Sequence, residues 1–277
     1  MSHSNMNTLP SPVPVAADAL TRVRVVLARP SHPGNIGSAA RALKTMGLSR
    51  LTLVAPKIFP SPEATALASG AQDVLEEAVV VDTLDAALAE TTYSLAVSAR
   101  ARDLGPSSQT ARAGTAEIFR RARQGEAVAL VFGNETAGLS NAELQRCQGV
   151  LGIAANPEYS SLNLAAAVQI LAYELRMHSL SAAPAASIVG AKTATPFSSP
   201  PATHAEQEGF YRHLENVLIA RRFLDPQRPR RLMPKLRRLF ARAQLEKDEV
   251  NILRGILTAV SEMEMTTEKP ASTKADA

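Results

Sequence analysis

Residues 128–140 read VALVFGNETAGLS, and residues 156–165 read NPEYSSLNLA. In each segment an apolar run lies close before a helical pattern. Such joints between strand and helix place backbone N–H groups and small polar side chains around a bound ligand. Two joints close together, with a glycine-bearing third at residues 29–41, predict one composite site.

The alternation of strand and helix extends over most of the chain. Short aliphatic runs predict strands at residues 23–28, 51–54, 79–81, 95–97, 128–132 and 150–153. Helical patterns lie between or after them at residues 36–46, 61–68, 83–90, 113–123, 140–148 and 161–180. Asn35 is the expected N-cap of the first helix and Gly47 its C-terminal glycine, while Ser140 and Glu143 form a capping box. The pattern predicts an α/β domain with a parallel sheet.

The composition changes after residue 180. Residues 181–204 are rich in Ala, Ser, Thr and Pro, which is typical of a linker. Helical periodicity at 206–224, 229–243 and 246–263 predicts a small all-helical module. The predicted organisation is therefore a disordered lead-in at 1–21, the α/β domain at 22–180, the linker at 181–204, the helical domain at 205–264 and a disordered tail at 265–277.

Composition narrows the class of protein. The 277 residues are 45% hydrophobic and contain no Trp, so an aliphatic core is expected. The single cysteine, Cys147, excludes an internal disulfide and is expected to be a buried structural thiol. With neither a signal pattern nor a run of ~18–20 apolar residues, a soluble cytoplasmic protein without a membrane partner is expected.

Charge is unevenly distributed along the chain. The net charge is +4, and residues 228–242 hold seven Arg or Lys side chains and no acidic one. Such a stretch suits a polyanion such as nucleic acid. In general, a charge run is more often a solvated helical face, so both interpretations stay open at this point.

The first motif, RPSHPGNIGSAAR at residues 29–41, joins a strand to a helix. Gly34 and Gly37 are expected to let the backbone approach a ligand. A dinucleotide loop is one interpretation, but the G-x-G-x-x-G spacing and an acidic residue after the second strand are both missing. Arg41 has the planar donor fork that fits a phosphate, or else is a surface arginine. His32 is a candidate base or substrate contact.

The second and third motifs carry further polar groups. Glu135 follows the strand at 128–132 and could bind a basic partner or a substrate hydroxyl; the alternative is a tight loop with a helix cap. Ser160, Ser161 and Asn163 precede a helix. Because N-capping needs only one polar side chain, three of them favour a binding function.

Together, the three motifs resemble the signatures of the SpoU branch of the SPOUT RNA 2′-O-methyltransferases. The matching segments are Asn35-x-Gly37 with Arg41, the run from Phe132 to Leu139, and the run from Ile153 to Ala165. Residues 98–100, 213–215, 236–240 and 251–257 are similar to the TrmJ-type subfamily, whose members methylate the ribose of cytidine or uridine 32 in the tRNA anticodon loop. The resemblance covers roughly residues 22–260.

The resemblance implies a C-terminal trefoil knot in the α/β domain, a homodimer with an RNA site shared between subunits, and S-adenosylmethionine as cofactor. Arg41 matches the catalytic arginine, and Asn35, Glu135, Ser161 and Asn163 would position it, the ribose and the cofactor. No metal is implied. The implied cofactor contacts are Val97, Ser98, Ala99, Gly133, Ile153, Ser160, Ser161 and Leu162.

Two positions depart from the subfamily pattern. Val97 stands where a Thr is common, which would preserve a backbone contact and remove a hydroxyl contact. The chain after Arg100 lacks the usual Pro-Trp-Pro-like continuation, in a loop expected to border the substrate.

Other hypotheses about the function remain: an rRNA 2′-O-methyltransferase of the same family, a nicotinamide-dependent dehydrogenase, and a non-catalytic RNA-binding protein.

Overall fold

The computed structural model describes residues 19–99, 107–181 and 199–262. Seven parallel strands form one sheet in the order β3-β2-β1-β6-β4-β7-β5. The strands are β1 (Val23–Ala28), β2 (Leu51–Val54), β3 (Val79–Val81), β4 (Tyr93–Val97), β5 (Ser107–Thr110), β6 (Val128–Phe132) and β7 (Gly149–Gly152). The predicted α/β class with a parallel sheet is confirmed.

Ten helices are found in the described part of the chain. Those of the α/β domain are α1 (Pro33–Met46), α2 (Pro62–Ala68), α3 (Gln72–Glu76), α4 (Leu84–Leu88), α5 (Ala111–Arg123), α6 (Asn141–Leu144) and α7 (Leu164–Ser181). Those of the helical module are α8 (His204–Ala220), α9 (Leu232–Ala243) and α10 (Lys247–Glu262).

Alternate residues of each central strand face opposite layers of the α/β domain. In β6, Leu130 and Phe132 pack beneath α1, α5 and α7, whereas Ala129 and Val131 pack beneath α4 and α6. A strand buried on both faces needs apolar side chains at every position. This is why the aliphatic run at residues 128–132 identified the strand so clearly.

Gly37 has a different purpose from the one predicted. Both it and Gly34 are buried against α2, and a Cβ at Gly37 would collide with the Ala64 carbonyl. The absence of side chains therefore lets α1 and α2 approach each other closely. These glycines serve helix packing, where the sequence suggested an approach to a ligand.

Several boundaries differ from the prediction. Helix α1 begins at Pro33 with His32 as N-cap, because the fixed φ of proline suits the first helical turn. Asn35 therefore lies inside the helix, and its side chain is free for other partners. Helix α7 begins at Leu164, three residues later than predicted, and α6 ends at Leu144.

Two elements were not predicted, and the last residues of the predicted disordered lead-in are packed. Strand β5 reads SSQT and α3 is a single short turn, so neither has an apolar pattern that sequence reasoning recognises. Ala19 and Leu20 fall in the predicted lead-in and are buried in the core. The Ser140–Glu143 capping box and the left-handed Gly47 are both confirmed.

The helical module packs on the face of the sheet that carries α4 and α6. Its core is small and consists of Ala202, Phe210, Tyr211, Leu245 and Val250. The backbone N–H of His204 donates to the Thr91 carbonyl at 2.8 Å, and His204 Nε2 lies 3.0 Å from Asp85 Oδ1. Most of the predicted linker, residues 182–198, lies outside the described residues, as do residues 100–106.

None of the helices in the described ranges is long and apolar enough to cross a membrane. The trefoil knot stays a prediction.

Candidate active site

One cavity opens at the carboxyl ends of three neighbouring strands. Strands β6, β4 and β7 are adjacent and parallel, so the loops that follow them meet at the same edge of the sheet. In open α/β sheets this edge is where ligands bind. The cavity is walled by the end of β4, by the loop of residues 133–139 after β6, and by the chain between β7 and α7.

All eight residues predicted to contact a cofactor line this cavity. They are Val97, Ser98, Ala99, Gly133, Ile153, Ser160, Ser161 and Leu162. Glu135 lines it too, together with Phe132, Leu164 and Ala167, which sequence reasoning did not select. The lining thus combines apolar side chains with exposed backbone and hydroxyl groups, the combination that binds small organic ligands in proteins.

Glu135 connects the first and second motifs. Its Oε2 accepts hydrogen bonds from Ser31 N at 2.9 Å and Ser31 Oγ at 2.7 Å. Its Oε1 accepts from Asn35 Nδ2 at 3.0 Å and from His32 N at 3.2 Å. Both carboxylate oxygens are therefore engaged by the start of α1, which joins the loop after β1 to the loop after β6.

Asn35 extends the connection to the third motif. Its Oδ1 accepts from Asn163 Nδ2 at 2.9 Å. Asn163 Oδ1 in turn accepts from the backbone N–H groups of Ala165 at 2.9 Å and Ala166 at 3.3 Å, so Asn163 caps α7. The chain Glu135–Asn35–Asn163 thus links all three motifs through side chains.

The hydrogen bonds also set the charge state of Glu135. Partial burial alone would raise the pKa of this carboxyl group, but donation from Asn35 and from Ser31 outweighs burial and lowers the pKa to about 2. Such a carboxylate is ionised at neutral pH and is a poor proton acceptor. Its hydrogen bonds instead connect the loop after β1 to the loop after β6.

The loop of residues 133–139 is folded tightly against itself. A Cβ at Gly133 would collide with the backbone of Gly138, and Gly138 has a left-handed φ of 67°. Asn134 Oδ1 accepts from Thr136 N at 2.9 Å and from Ala137 N at 3.1 Å. Because Gly133 has no side chain, the loop can fold back until Gly138 lies against it. The backbone of the loop then faces the cavity.

Arg41 is not brought into the cavity of its own chain. The side chain is exposed on α1, about one and a half turns beyond Asn35. It makes no hydrogen bond or ion pair with any residue in the described ranges. Its guanidinium is therefore exposed and engages no other side chain in the part of the chain that the structure describes.

Sequence reasoning missed Ser31, which donates twice to Glu135. A serine before a helix-starting proline carries no signal of such a partner, because the partner lies 104 residues away in the chain. Cys147, in contrast, is 3% exposed, as predicted, and burial raises the pKa of its thiol to about 12. An un-ionised, buried thiol is unsuited to nucleophilic chemistry.

The fold and this site define an α/β protein with a cavity lined by backbone and small polar groups at the carboxyl edge of a parallel sheet. Among the described residues, no group of three or more His, Cys, Asp or Glu side chains is placed to hold a metal ion.

Comparison with known proteins identifies the class further. The sequence profile of the SpoU rRNA Methylase family matches residues 22–173, and that of the "tRNA methyltransferase TrmJ, C-terminal domain" matches residues 205–272. The chain is 50% identical over 241 residues to the tRNA (cytidine/uridine/adenosine-2′-O-)-methyltransferase TrmJ of Pseudomonas aeruginosa, covering 86% of this chain and 93% of that protein. It is 47% identical over 242 residues to the tRNA (cytidine/uridine-2′-O-)-methyltransferase TrmJ of Cronobacter sakazakii, covering 87% and 96%.

Solved structures agree with the sequence comparisons. The crystal structure of TrmJ from Z. mobilis ZM4 superposes with a TM-score of 0.73 at 33% identity, covering 86% of this chain and 98% of that one. A probable methyltransferase from Bordetella pertussis superposes with a TM-score of 0.56 at 50% identity, covering 59% and 99%. The chain belongs to the SpoU methylase family, and within it to the TrmJ methyltransferases. The resemblance drawn from the three motifs is thereby confirmed.

Proposed function

We propose that this enzyme transfers a methyl group from S-adenosylmethionine to a ribose 2′-hydroxyl of tRNA, at cytidine or uridine 32 of the anticodon loop. The observation that carries the proposal is that the second and third motifs line one cavity, and that hydrogen bonds of Asn35 to Glu135 and Asn163 connect the first motif to both of them. The printed activities of the TrmJ relatives support the tRNA substrate. The cytoplasm is the proposed site of action.

The lining of the cavity suits the cofactor. Apolar side chains of Val97, Ile153 and Leu162 offer a slot for a flat heterocycle, and the hydroxyls of Ser160 and Ser161 offer hydrogen bonds at its rim. When bound, S-adenosylmethionine supplies an electrophilic methyl group on a positively charged sulfur. Within the predicted trefoil knot, the loops that wall the cavity would be held in place on both sides.

The polar residues have two proposed roles: they orient the reacting groups, and they stabilise the negative charge that develops during the reaction. A ribose 2′-oxygen must be aligned with the methyl group, and its proton must leave. Glu135, with a pKa of about 2, acts by holding Ser31 and Asn35 in position. The guanidinium of Arg41 orients the RNA through a phosphate and stabilises developing negative charge.

The active unit is a homodimer in this proposal. A row of exposed apolar side chains on α7, formed by Tyr173, Met177 and Leu180, has the spacing of one helix face. An exposed apolar row of this kind is typical of a protein interface. Since Arg41 does not reach the cavity of its own chain, it completes the cavity of the partner subunit.

A methylation assay tests the proposed activity. Purified protein is incubated with labelled S-adenosylmethionine and bulk tRNA, with rRNA in a parallel reaction, and the RNA is digested to nucleosides. Labelled 2′-O-methylcytidine or 2′-O-methyluridine from tRNA position 32 is expected. Label in rRNA alone would favour an rRNA methyltransferase, and RNA binding without any label would favour a non-catalytic protein.

Mixed dimers test the sharing of the site. One subunit carries Arg41→Ala, and the other carries Ser161→Trp, which fills the cavity. If Arg41 acts across the interface, each mixed dimer has one intact site and regains activity, although both parent dimers are inactive. If Arg41 acts within its own chain, the mixed dimers stay inactive.

A further inference from the structure

We propose that Arg29 is a positioning residue that holds the cavity-lining loop of residues 133–139 in its binding conformation. The inference rests on the proposed cofactor site. Arg29 lies directly after β1 and is not among the residues that line the cavity. It acts from behind the loop, through contacts at both ends of it.

The guanidinium of Arg29 holds the far end of the loop. Its Nε donates to Glu143 Oε1 at 3.0 Å and its Nη2 to Glu143 Oε2 at 2.8 Å, which is the bidentate arginine–carboxylate geometry. Nη2 also lies 3.4 Å from the Gly138 carbonyl oxygen. One planar group therefore joins the C-terminal end of the loop to the first turn of α6.

The backbone of Arg29 holds the near end. Its carbonyl oxygen accepts from Asn134 Nδ2 at 2.8 Å, and its N–H donates to the Val54 carbonyl at 2.8 Å. Arg29 has a φ of 53°, in the left-handed region that a residue with a side chain rarely adopts. That conformation is maintained by these contacts and directs the carbonyl and the guanidinium to opposite ends of the same loop.

Glu143 is itself fixed by a second set of contacts. Its Oε2 accepts from Ser140 N at 2.7 Å, and its backbone N–H donates to Ser140 Oγ in the capping box. The carboxylate is largely covered, with its side chain 17% exposed. Because the anchor is rigid, the arginine transmits its position to the Gly138 carbonyl and so to the wall of the cavity.

Removal of the guanidinium is therefore expected to loosen the cavity wall. The affinity for S-adenosylmethionine should fall by about tenfold in Arg29→Ala, as an ordered loop becomes one of several conformations. Turnover at saturating cofactor should change by less than about threefold, since no group that touches the RNA is removed. A purely structural role would instead lower the melting temperature without this split between KM and kcat.

The experiment measures S-adenosylmethionine binding by calorimetry, KM, kcat and melting temperature for the full-length protein. The variants are Arg29→Ala, Arg29→Lys, Glu143→Gln and the Arg29→Ala/Glu143→Gln pair. Gln preserves the capping box of α6 while it removes the charge. Arg24→Ala is the matched control, because Arg24 forms an ion pair with Glu90 at 3.3 Å near the other end of β1, away from the cavity.

We expect weaker S-adenosylmethionine binding in both Arg29→Ala and Glu143→Gln. The double variant should bind no more weakly than either single variant, and Arg29→Lys should recover part of the affinity. Unchanged S-adenosylmethionine binding in Arg29→Ala would overturn the inference, and so would equal weakening in Arg24→Ala. In both cases the proposed function stands as long as the wild-type protein binds S-adenosylmethionine. Wild-type protein that binds no S-adenosylmethionine would overturn the proposed function and this inference together.

Discussion

The α/β domain and the helical module are stabilised in different ways. In the α/β domain, central strands such as Val128–Phe132 are buried at every position. In the helical module, α9 has no buried residue and Val250 is the buried residue of α10. A helical module with so small a core depends for its stability on contacts with the α/β domain. The first region therefore has a rigid core of its own, whereas the second depends more on its contacts with the first.

A polar network attaches the second region to the first. Glu208 of α8 forms ion pairs with Arg146 of the α/β domain and with Arg237 of α9. The Arg237 guanidinium also lies 4.3 Å from the centre of the Tyr211 ring, a cation–π distance. One carboxylate therefore joins the two regions and also orders α9.

The largest effect is expected from Arg41→Ala. Because this variant removes a cationic group from the proposed reaction centre, kcat should fall by about 10²- to 10³-fold, while S-adenosylmethionine affinity stays within about twofold of wild type. Steady-state methyl transfer and calorimetry measure the two quantities.

Lys44→Ala is the control for Arg41→Ala. Lys44 lies on the same helix and pairs with Asp73 at 2.8 Å, so its replacement should leave kcat unchanged. If Arg41→Ala lowered cofactor affinity instead of turnover, the division between cofactor cavity and catalytic arginine would be wrong.

Glu208→Ala should give the second largest effect. It leaves Arg146 and Arg237 partly buried without their shared partner, which is expected to cost about 2 kcal/mol in the free energy of unfolding the module. Cys147 lies in the crevice between α6 and the module and reports the change. Its thiol has a pKa of about 12, so it should react with a thiol reagent at pH 8 only when the module detaches.

Faster Cys147 labelling is therefore expected in Glu208→Ala. In Glu215→Ala, which changes an exposed glutamate on the same helix, labelling should match wild type. Equal labelling in all three proteins would mean that the ion pairs at Glu208 do not hold the module in place.

The two regions also differ in how far their sequence revealed them. The central strands and the three motifs of the α/β domain were predictable because doubly buried strands and turn residues leave local patterns, whereas the exposed strand β5 leaves none. The partners of Glu135 were not, since Ser31 and Asn35 lie about 100 residues away and their side chains meet it only through the sheet order. Asn35 was predicted as a helix cap because local rules favour it there; the proline two residues earlier moved the cap to His32.

In the helical module, sequence showed the charge but not its use. The seven basic residues between 228 and 242 were interpreted together, as a polyanion-binding stretch or a solvated helical face, yet Arg237 is engaged by Glu208. The rest, among them Arg228, Arg230 and Arg231, are exposed. Only tertiary structure separates the arginine that pairs with Glu208 from the basic residues that stay exposed on the surface.

A triple variant of these exposed residues tests whether this part of the helical module binds tRNA. Changing Arg228, Arg230 and Arg231 to Ala should weaken tRNA binding by about tenfold near physiological salt, with kcat little changed. The slope of log affinity against log salt should become shallower by about 0.9 for each phosphate that the variant no longer neutralises. Arg50→Ala, on the α/β domain, is the control; an unchanged slope in the triple variant would place the RNA elsewhere.

The smallest effect concerns the pH dependence of Glu135. Its pKa is about 2 in the folded protein against an ordinary value of 4.5, so its charge stabilises the fold above pH 4.5 and loses that contribution as the pH falls towards 2. Glu135→Gln should therefore be less stable than wild type at pH 7 by about 1 kcal/mol, a figure reduced for solvent screening. Urea unfolding of both proteins from pH 7 to pH 3 should show this gap narrowing as the pH falls. Because every other carboxyl group titrates in both proteins, their difference isolates Glu135. A constant gap would mean that Ser31 and Asn35 bind the neutral carboxyl as well as the charged one, and that the rigidity of the α/β site does not depend on this ion.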